Sequence, residues 1–484
     1  MANLISTMMS ASGALDVYSQ VLDVVQNNVT NASTPGYANQ TEQLVAMPFD
    51  PSQGLTGGVL AGQVVSSRDQ YAEQAVQQQT TLLGQAQQDV SSLTALQSQF
   101  DVTGTTGIDS AFNNLFQAFS AWSQTPTSTV AQQNVLQQAT GVANAFQQTA
   151  SGLAQVATDT SQQLQQTVTD VNQLTAQLAG YNQQIMNGDR NDAGLDARIH
   201  STLEQLSLDG GISSSLQANG TYTVLLTGQT PLVIGNQAYN LSAVPEPPAA
   251  TSANPVAPSL ERILASDGAD ITSQITGGQL GSLLQTANTV LPGYLGDANQ
   301  PGSLNILAQN FATQVNNLLM KGYQTDGSDG TVPAPGVPLF TYDTTNATNV
   351  AASLTVDPAV TPAQLAAIDL GPPEVSNGVA LALSQMANPA DSTDEIGGLS
   401  YTQYYGNMAS TAGNLLSNAT NQLQTQQSAV AQAQNVRQQI SGVSLDQEAT
   451  ILMQFQQAYE ASSKLITILD QLTEDTINML PTSG

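Results

Sequence analysis

Both ends of this chain carry an unbroken apolar repeat, and that restricts the fold more than any other feature. Leu4, Met8, Ala11, Leu15, Tyr18, Leu22, Val25 and Val29 alternate spacings of four and three residues, the seam of a coiled-coil helix. Ile5, Val17 and Val21 widen the stripe. The helix is expected to stop before Pro35, because proline disfavours helical backbone at Thr34 and Pro35-Gly36 suits a turn. At the other end Leu452, Phe455, Tyr459, Ser462, Ile466 and Leu469 repeat the same spacing, broadened by Ile451, Leu465, Leu472, Ile477 and Leu480. Ser444 and Gln447 make a capping box for that helix. Irregular sequence lies between the two seams, which predicts a hairpin whose termini meet while the middle projects outward. Residues 1–67 contain no Lys or Arg and only Asp16, Asp23, Glu42 and Asp50 as acids, so ion pairs beside the seam cannot select a partner. From its pattern the first helix reads equally as the core helix of a bundle and as an exposed assembly helix.

Composition then removes whole classes of function. Of 484 residues, 40% are hydrophobic but only 9% are charged, where soluble proteins carry roughly 25%. Acids outnumber bases 36 to 7, for a net charge of -29. Nucleic acid needs Lys and Arg to displace its counterions, and an anionic membrane surface needs them too, so neither is an expected partner. The chain has no cysteine, one histidine and one tryptophan, which leaves little for thiol, thiolate-metal or imidazole chemistry. No stretch reaches the 18 or so continuous apolar residues of a membrane span. The first ten residues also lack the basic and apolar blocks of a cleaved signal.

Between the seams the reading is mainly helical. Residues 68–180 break at Gly104–Gly107 and near Pro126, giving two or three helices, one running from about 130 to 187, and a shorter one covers 189–206. Tyr222–Leu226 and Pro231–Ile234 read as a β-hairpin, followed by a Pro/Ala-rich linker from Val244 to Pro258. Helical pattern resumes from about Leu280 to Tyr323. Residues 325–400 are poorly periodic, with a short helix at 362–368 capped by Thr361 and Gln364. The expected fold class is mainly α. Residues 1–67 and 441–484 would pair as a coiled-coil inner domain, and 68–205, 276–324 and 401–440 would form a long helical bundle. A β-hairpin and linker would occupy 206–275, and a small β- and loop-rich outer insertion 325–400.

Candidate chemistry is thin. His200 is the only imidazole and no nucleophile elbow accompanies it, so it reads as a helix-surface residue. Asp189, Asn191 and Gly194 start a possible calcium loop, but Ala193 and His200 stand where ligands belong. Asp326–Gly330 is an acidic turn. No phosphate or dinucleotide fingerprint occurs. No catalytic, cofactor or metal residue is therefore assigned.

Asn27-Asn28-Val29-Thr30-Asn31-Ala32-Ser33-Thr34-Pro35-Gly36-Tyr37 resembles the N-terminal signature of bacterial flagellar rod, hook and hook-associated proteins. Its turn residues are Asn28, Asn31, Pro35, Gly36 and Tyr37. Asn39 departs from the pattern, standing where related proteins often have Arg. The run Ser441-Gly442-Val443-Ser444-Leu445-Asp446-Gln447-Glu448, with Gln454, Gln457, Ala458, Tyr459 and Ala461, resembles the hook-associated members at the hook–filament junction. Gly277–Leu284, Leu318–Tyr323 and Thr223–Val233 extend the likeness. The resemblance implies a non-enzymatic structural role in the extracellular flagellum, after export through the flagellar type III channel without signal cleavage. It implies four partners: copies of itself in a ring, the hook protein, the next hook-associated junction protein, and a cytosolic export chaperone at the C-terminal helix. Leu4, Met8, Leu15, Tyr18, Leu22, Val25 and Val29, with Leu452, Phe455, Tyr459, Ile466 and Leu469, are the expected assembly residues.

Overall fold

The structure, a computed structural model, describes residues 2–50, 55–101, 106–190, 192–246, 259–325, 332–390 and 394–478. The Asp326–Gly330 turn, Asn191, Leu480 and residues 247–258 of the Pro/Ala-rich linker lie outside them. The chain divides into two compact units, one of Met1–Thr81, Gln173–Tyr239 and Gln426–Gly484, the other of Leu82–Asn172 and Asn240–Thr425. Helices α2 (Gln70–Gln97), α4 (Thr129–Asn187) and α11 (Tyr401–Ser441) contribute residues to both.

The first unit contains the termini. Helix α1 (Ala2–Thr30) ends before the Pro35 turn, as proline requires. Strands β1 (Gln40–Ala46) and β4 (Val59–Ser66) then pair as an antiparallel ribbon, with β2 (Phe49–Asp50) and β3 (Leu55–Thr56) paired beyond them. Helix α12 (Leu445–Asn478) lies along α1. The unit also holds α5 (Ala193–Asp209) and a four-stranded antiparallel sheet of β5 (Ile212–Leu216), β6 (Tyr222–Leu226), β7 (Thr230–Ile234) and β8 (Gln237–Ala238), in that order. The expected hairpin is the centre of this sheet. Thr227 and Gly228 turn it with φ of 50° and 76°, the positive angles a tight hairpin needs. Asn182 of α4, fully buried, grips the sheet by donating to the carbonyls of Tyr222 and Gly235 and accepting from the amide of Tyr222.

The second unit has the large core. Ile108, Phe112, Leu115, Phe116, Phe119 and Trp122 recur along one face of α3 (Ile108–Gln124), and all are buried. Trp122 Nε1 donates to the Pro126 carbonyl at 3.1 Å, which fixes the turn into α4. Strands β9 (Ser242–Pro245) and β10 (Glu261–Leu264) pair across the linker, so the linker's first residues are strand. The helical stretch expected from about 280 to 323 is built of several pieces. It comprises α6 (Gly278–Gln285), a π-turn (Thr286–Val290), α7 (Leu291–Leu295) and, after a loop, α8 (Ser303–Lys321). Pro292 directly follows the π-turn, where the regular helical hydrogen-bond ladder is already interrupted.

Of the stretch 325–400, the described residues 332–390 differ most from expectation. Their short elements are β11 (Phe340–Thr341), α9 (Val350–Ser353), β12 (Thr355–Val356), a 3₁₀ turn (Pro362–Gln364) and α10 (Gly378–Gln385). Leu339, Phe340, Leu354, Leu365, Leu383 and Met386 belong to the same buried cluster as α3, α4 and α8, so these residues do not form a separate outer insertion. Side chains of the helices supply the missing backbone partners. Asn316 accepts from the amides of Leu339 and Phe340 and donates to the Phe340 carbonyl, while Gln147 donates to the Leu354 carbonyl. Phe311 is the hub, with ring centroids 4.5 Å from Phe112, 5.3 Å from Tyr401 and 5.7 Å from Phe340. Phe311→Ala is expected to cost about 3–5 kcal/mol, read as an earlier urea midpoint in Trp122 fluorescence. An unmoved midpoint would contradict that core assignment. Among the described residues no helix is long and apolar enough to cross a membrane.

Candidate assembly surface and the clasp between the chain ends

Helices α1 and α12 run antiparallel: Asn28 meets Glu448 at one end, and further along the Tyr18 and Phe455 rings lie 5.7 Å apart. On α1 the buried line is Ala11, Val17, Val21, Val25 and Asn28. Of the expected assembly residues only Val25 is buried; Leu4, Met8, Leu15, Tyr18 and Leu22 are half-buried and Val29 is exposed. On α12 Leu452, Phe455, Ile466 and Leu469 are half-buried toward α1, while Tyr459 is exposed. Among the described residues no ion pair joins these two helices.

Large apolar side chains remain uncovered elsewhere on this unit. They are Ile5 and Met9 of α1, Leu465, Ile468 and Leu472 of α12, and Leu44, Val45, Phe49 (73% exposed) and Leu60 on the ribbon. Large apolar side chains left uncovered in such number mark interaction surfaces. Sequence reasoning missed the ribbon; Gly57 and Gly58, at φ +67° and +133°, lie between β3 and β4 on its returning arm and do not join two paired strands. Ser10 Oγ donates to the Gly57 carbonyl at 3.0 Å, holding the ribbon against α1.

Beneath the turn, a polar clasp ties the two end motifs together. Asn28 and Glu448 are each 1% exposed. The Asn28 amide donates to Glu448 Oε2 (3.2 Å) and to the Gln40 carbonyl (2.8 Å). Its Oδ1 accepts from the Gln40 amide (3.0 Å) and the Tyr37 hydroxyl (2.9 Å). Asn39 donates to Glu448 Oε1 (3.0 Å). A buried carboxylate must be hydrogen-bonded, and these two amides serve it. Burial, then the charges of Glu448 and Asp196, push the Tyr37 hydroxyl up to about 12, so it stays a donor. Asn31 keeps to itself, donating to Asn27 and accepting from Thr34, and Pro35 is exposed. Gly36 has φ +76°, and its carbonyl accepts from Arg68 at 2.6 Å.

A second polar cluster backs the clasp. Glu73, 4% exposed, receives Arg68 at 2.5 Å and Arg437 at 3.3 Å, and His200 Nδ1 lies 3.6 Å away. Arg68 also reaches Asp196 at 2.6 Å, and Arg437 reaches Glu204 at 3.0 Å. Burial alone would raise the Glu73 carboxyl, but His200, Arg68 and Arg437 outweigh it and hold the group down to about 2. Two of the chain's seven basic residues and its single histidine thus converge on one acid. His200 is buried rather than on a helix surface, its Nε2 2.9 Å from the Tyr222 hydroxyl. A permanently ionised acid enclosed by cations is a structural anion, unsuited to proton transfer. Asp192, in the rejected calcium loop, caps α5 instead, and among the described residues no acidic or imidazole group of three could hold a metal.

A chain whose two ends clasp each other and carry uncovered apolar strips is built as a subunit of a larger assembly. Comparison with known proteins gives the same class. The model of the flagellar hook-associated protein FlgK helical domain matches residues 93–333, and that of the flagellar basal body rod FlgEFG protein C-terminal region matches 434–479. Flagellar hook-associated protein 1 of Bacillus subtilis is 23% identical, aligning 98% of each chain. That of Escherichia coli is 24% identical over 99% of this chain and 100% of its own. The solved flagellar hook junction protein FlgK from Burkholderia pseudomallei shares the fold with a TM-score of 0.62 at 17% identity, covering 76% of this chain and 99% of that one. The chain belongs to the flagellar hook-associated protein 1 family.

Proposed function

We propose that this protein is a structural component of the bacterial flagellum, standing at the hook–filament junction as an adaptor that filament assembly requires. The observation that carries the reading is the clasp. Two motifs 420 residues apart, each resembling axial flagellar proteins, are joined side chain to side chain at Asn28 and Glu448, in a chain that aligns with its relatives almost end to end. The paired ends would form an inner layer, copies packing as coiled coils into a ring. A closed ring needs two unlike faces on each subunit; the ribbon and the outer strip of α12 are two such surfaces. Hook protein below, the next hook-associated protein above, and an export chaperone on α12 before assembly are the expected partners. Export through the flagellar type III channel, without signal cleavage, suits a chain free of disulfides.

Location tests this directly. The protein is expected in sheared flagella; confinement to the cytoplasm would overturn the reading. Ile468 is 58% exposed, so Ile468→Asp should shift the free protein's stability by no more than about 0.5 kcal/mol. If assembly covers that strip, the same variant should lose motility. Full motility would remove the outer face of α12 from the interface.

A further inference from the structure

The apolar pattern of α12 does not decide which of its faces meets α1. Ser462, Ile466, Leu469 and Thr473 point toward α1, half-buried. One residue earlier in each case stand Ala461, Leu465, Ile468 and Leu472, all exposed and together more apolar. Turning α12 by about 100°, equivalent to a slip of one residue or about 1.5 Å, would exchange the two sets. Apolar area favours that exchange in the distal half of the helix, and among the described residues no ion pair between α1 and α12 opposes it.

We propose that Glu448, held by Asn28 and Asn39, is the positioning residue that fixes the rotation of α12 on α1 and so keeps Leu465, Ile468 and Leu472 on the outside. The exchange would carry Glu448 away from both side-chain amides, leaving the carboxylate and the half-buried Asn39 amide short of partners while Asn28 keeps the Gln40 carbonyl, a loss that the apolar gain does not offset. A single buried polar contact selecting one of several apolar packings is the best attested role of such groups. The connection to α11 reinforces it, because the Ser441 carbonyl accepts from the backbone N–H of Asn39 at 2.9 Å at the same end of the pair.

Because the chain contains no cysteine, introduced pairs report the rotation in the full-length protein. Tyr18→Cys with Phe455→Cys reads the observed face; Tyr18→Cys with Gln454→Cys reads the exchanged one. With Glu448 present the first pair should oxidise at least about tenfold faster than the second, and in Asn39→Val/Glu448→Leu that preference should fall by about tenfold or invert. Asn28 keeps both Gln40 bonds in this double variant, so the turn is spared. As an independent reading, a thiol reagent should label Ile468→Cys quickly in the native background and about tenfold more slowly in the double variant. An unchanged preference with helix content intact by circular dichroism would overturn the proposal. Loss of the helices in the double variant would also overturn it, since Glu448 would then serve folding and not rotation.

Discussion

Glu73→Leu is expected to be among the most damaging single substitutions in the first unit, costing about 3–5 kcal/mol. The substitution strips Arg68 and Arg437 of a shared partner and leaves buried positive charge only partly compensated. Measured by amide exchange, protection should fall in α5 and β6, where His200 and Tyr222 sit. The charge also sets a pH dependence. Glu73 titrates near 4.5 in the unfolded chain and near 2 in the folded one, so the folded state binds fewer protons between those values. Its stabilisation, roughly 3 kcal/mol, is complete above about pH 4.5 and is lost as pH falls toward 2. The stability gap between the native protein and Glu73→Gln should therefore close over that window. A gap that stays constant from pH 6 to pH 2 would show that Glu73 is not held as an anion.

Gly36→Ala should be nearly as severe, for a steric reason. A Cβ on Gly36 would lie 2.5 Å from the Ala197 carbonyl oxygen of α5, a backbone atom that cannot step aside, and φ is +76°. Gly235 offers the matched control: φ is +58°, and nothing lies within 4 Å of its Cβ position. Gly235→Ala carries only the left-handed backbone penalty of about 1–2 kcal/mol. The clash at Gly36 should add several kcal/mol and loosen the Arg68 contact to its carbonyl. Thermal melts of the two variants check this, and equal shifts would mean the turn has slack that the geometry denies it.

The two end helices, the breaks at Pro35 and Pro126, and the hairpin at 222–234 were legible because each rests on local rules: periodicity, proline, glycine. Contacts that bridge distant segments were not. Asn28 and Glu448 are both conspicuous in their motifs, yet nothing local says that one faces the other. The line of α1 buried within the subunit is set by two neighbours at once, α12 and the β1–β4 ribbon, so it passes through Val17 and Val21, read only as widening the stripe, and leaves Val29 outside. His200 was readable: it sits beside Ile199, one turn from Leu203 on the apolar side of α5, and all three are buried. Residues 332–390 were not, since their backbone is satisfied by Asn316, Asn305 and Gln147 of other elements rather than by any internal period.

The junction role itself is tested most directly by deleting the gene and examining the cells by electron microscopy, with the medium assayed for flagellin. Hooks that end bare, with flagellin shed into the medium and filaments restored by the native gene, are the expected result. Filaments of normal number and length on the deletion strain would contradict it.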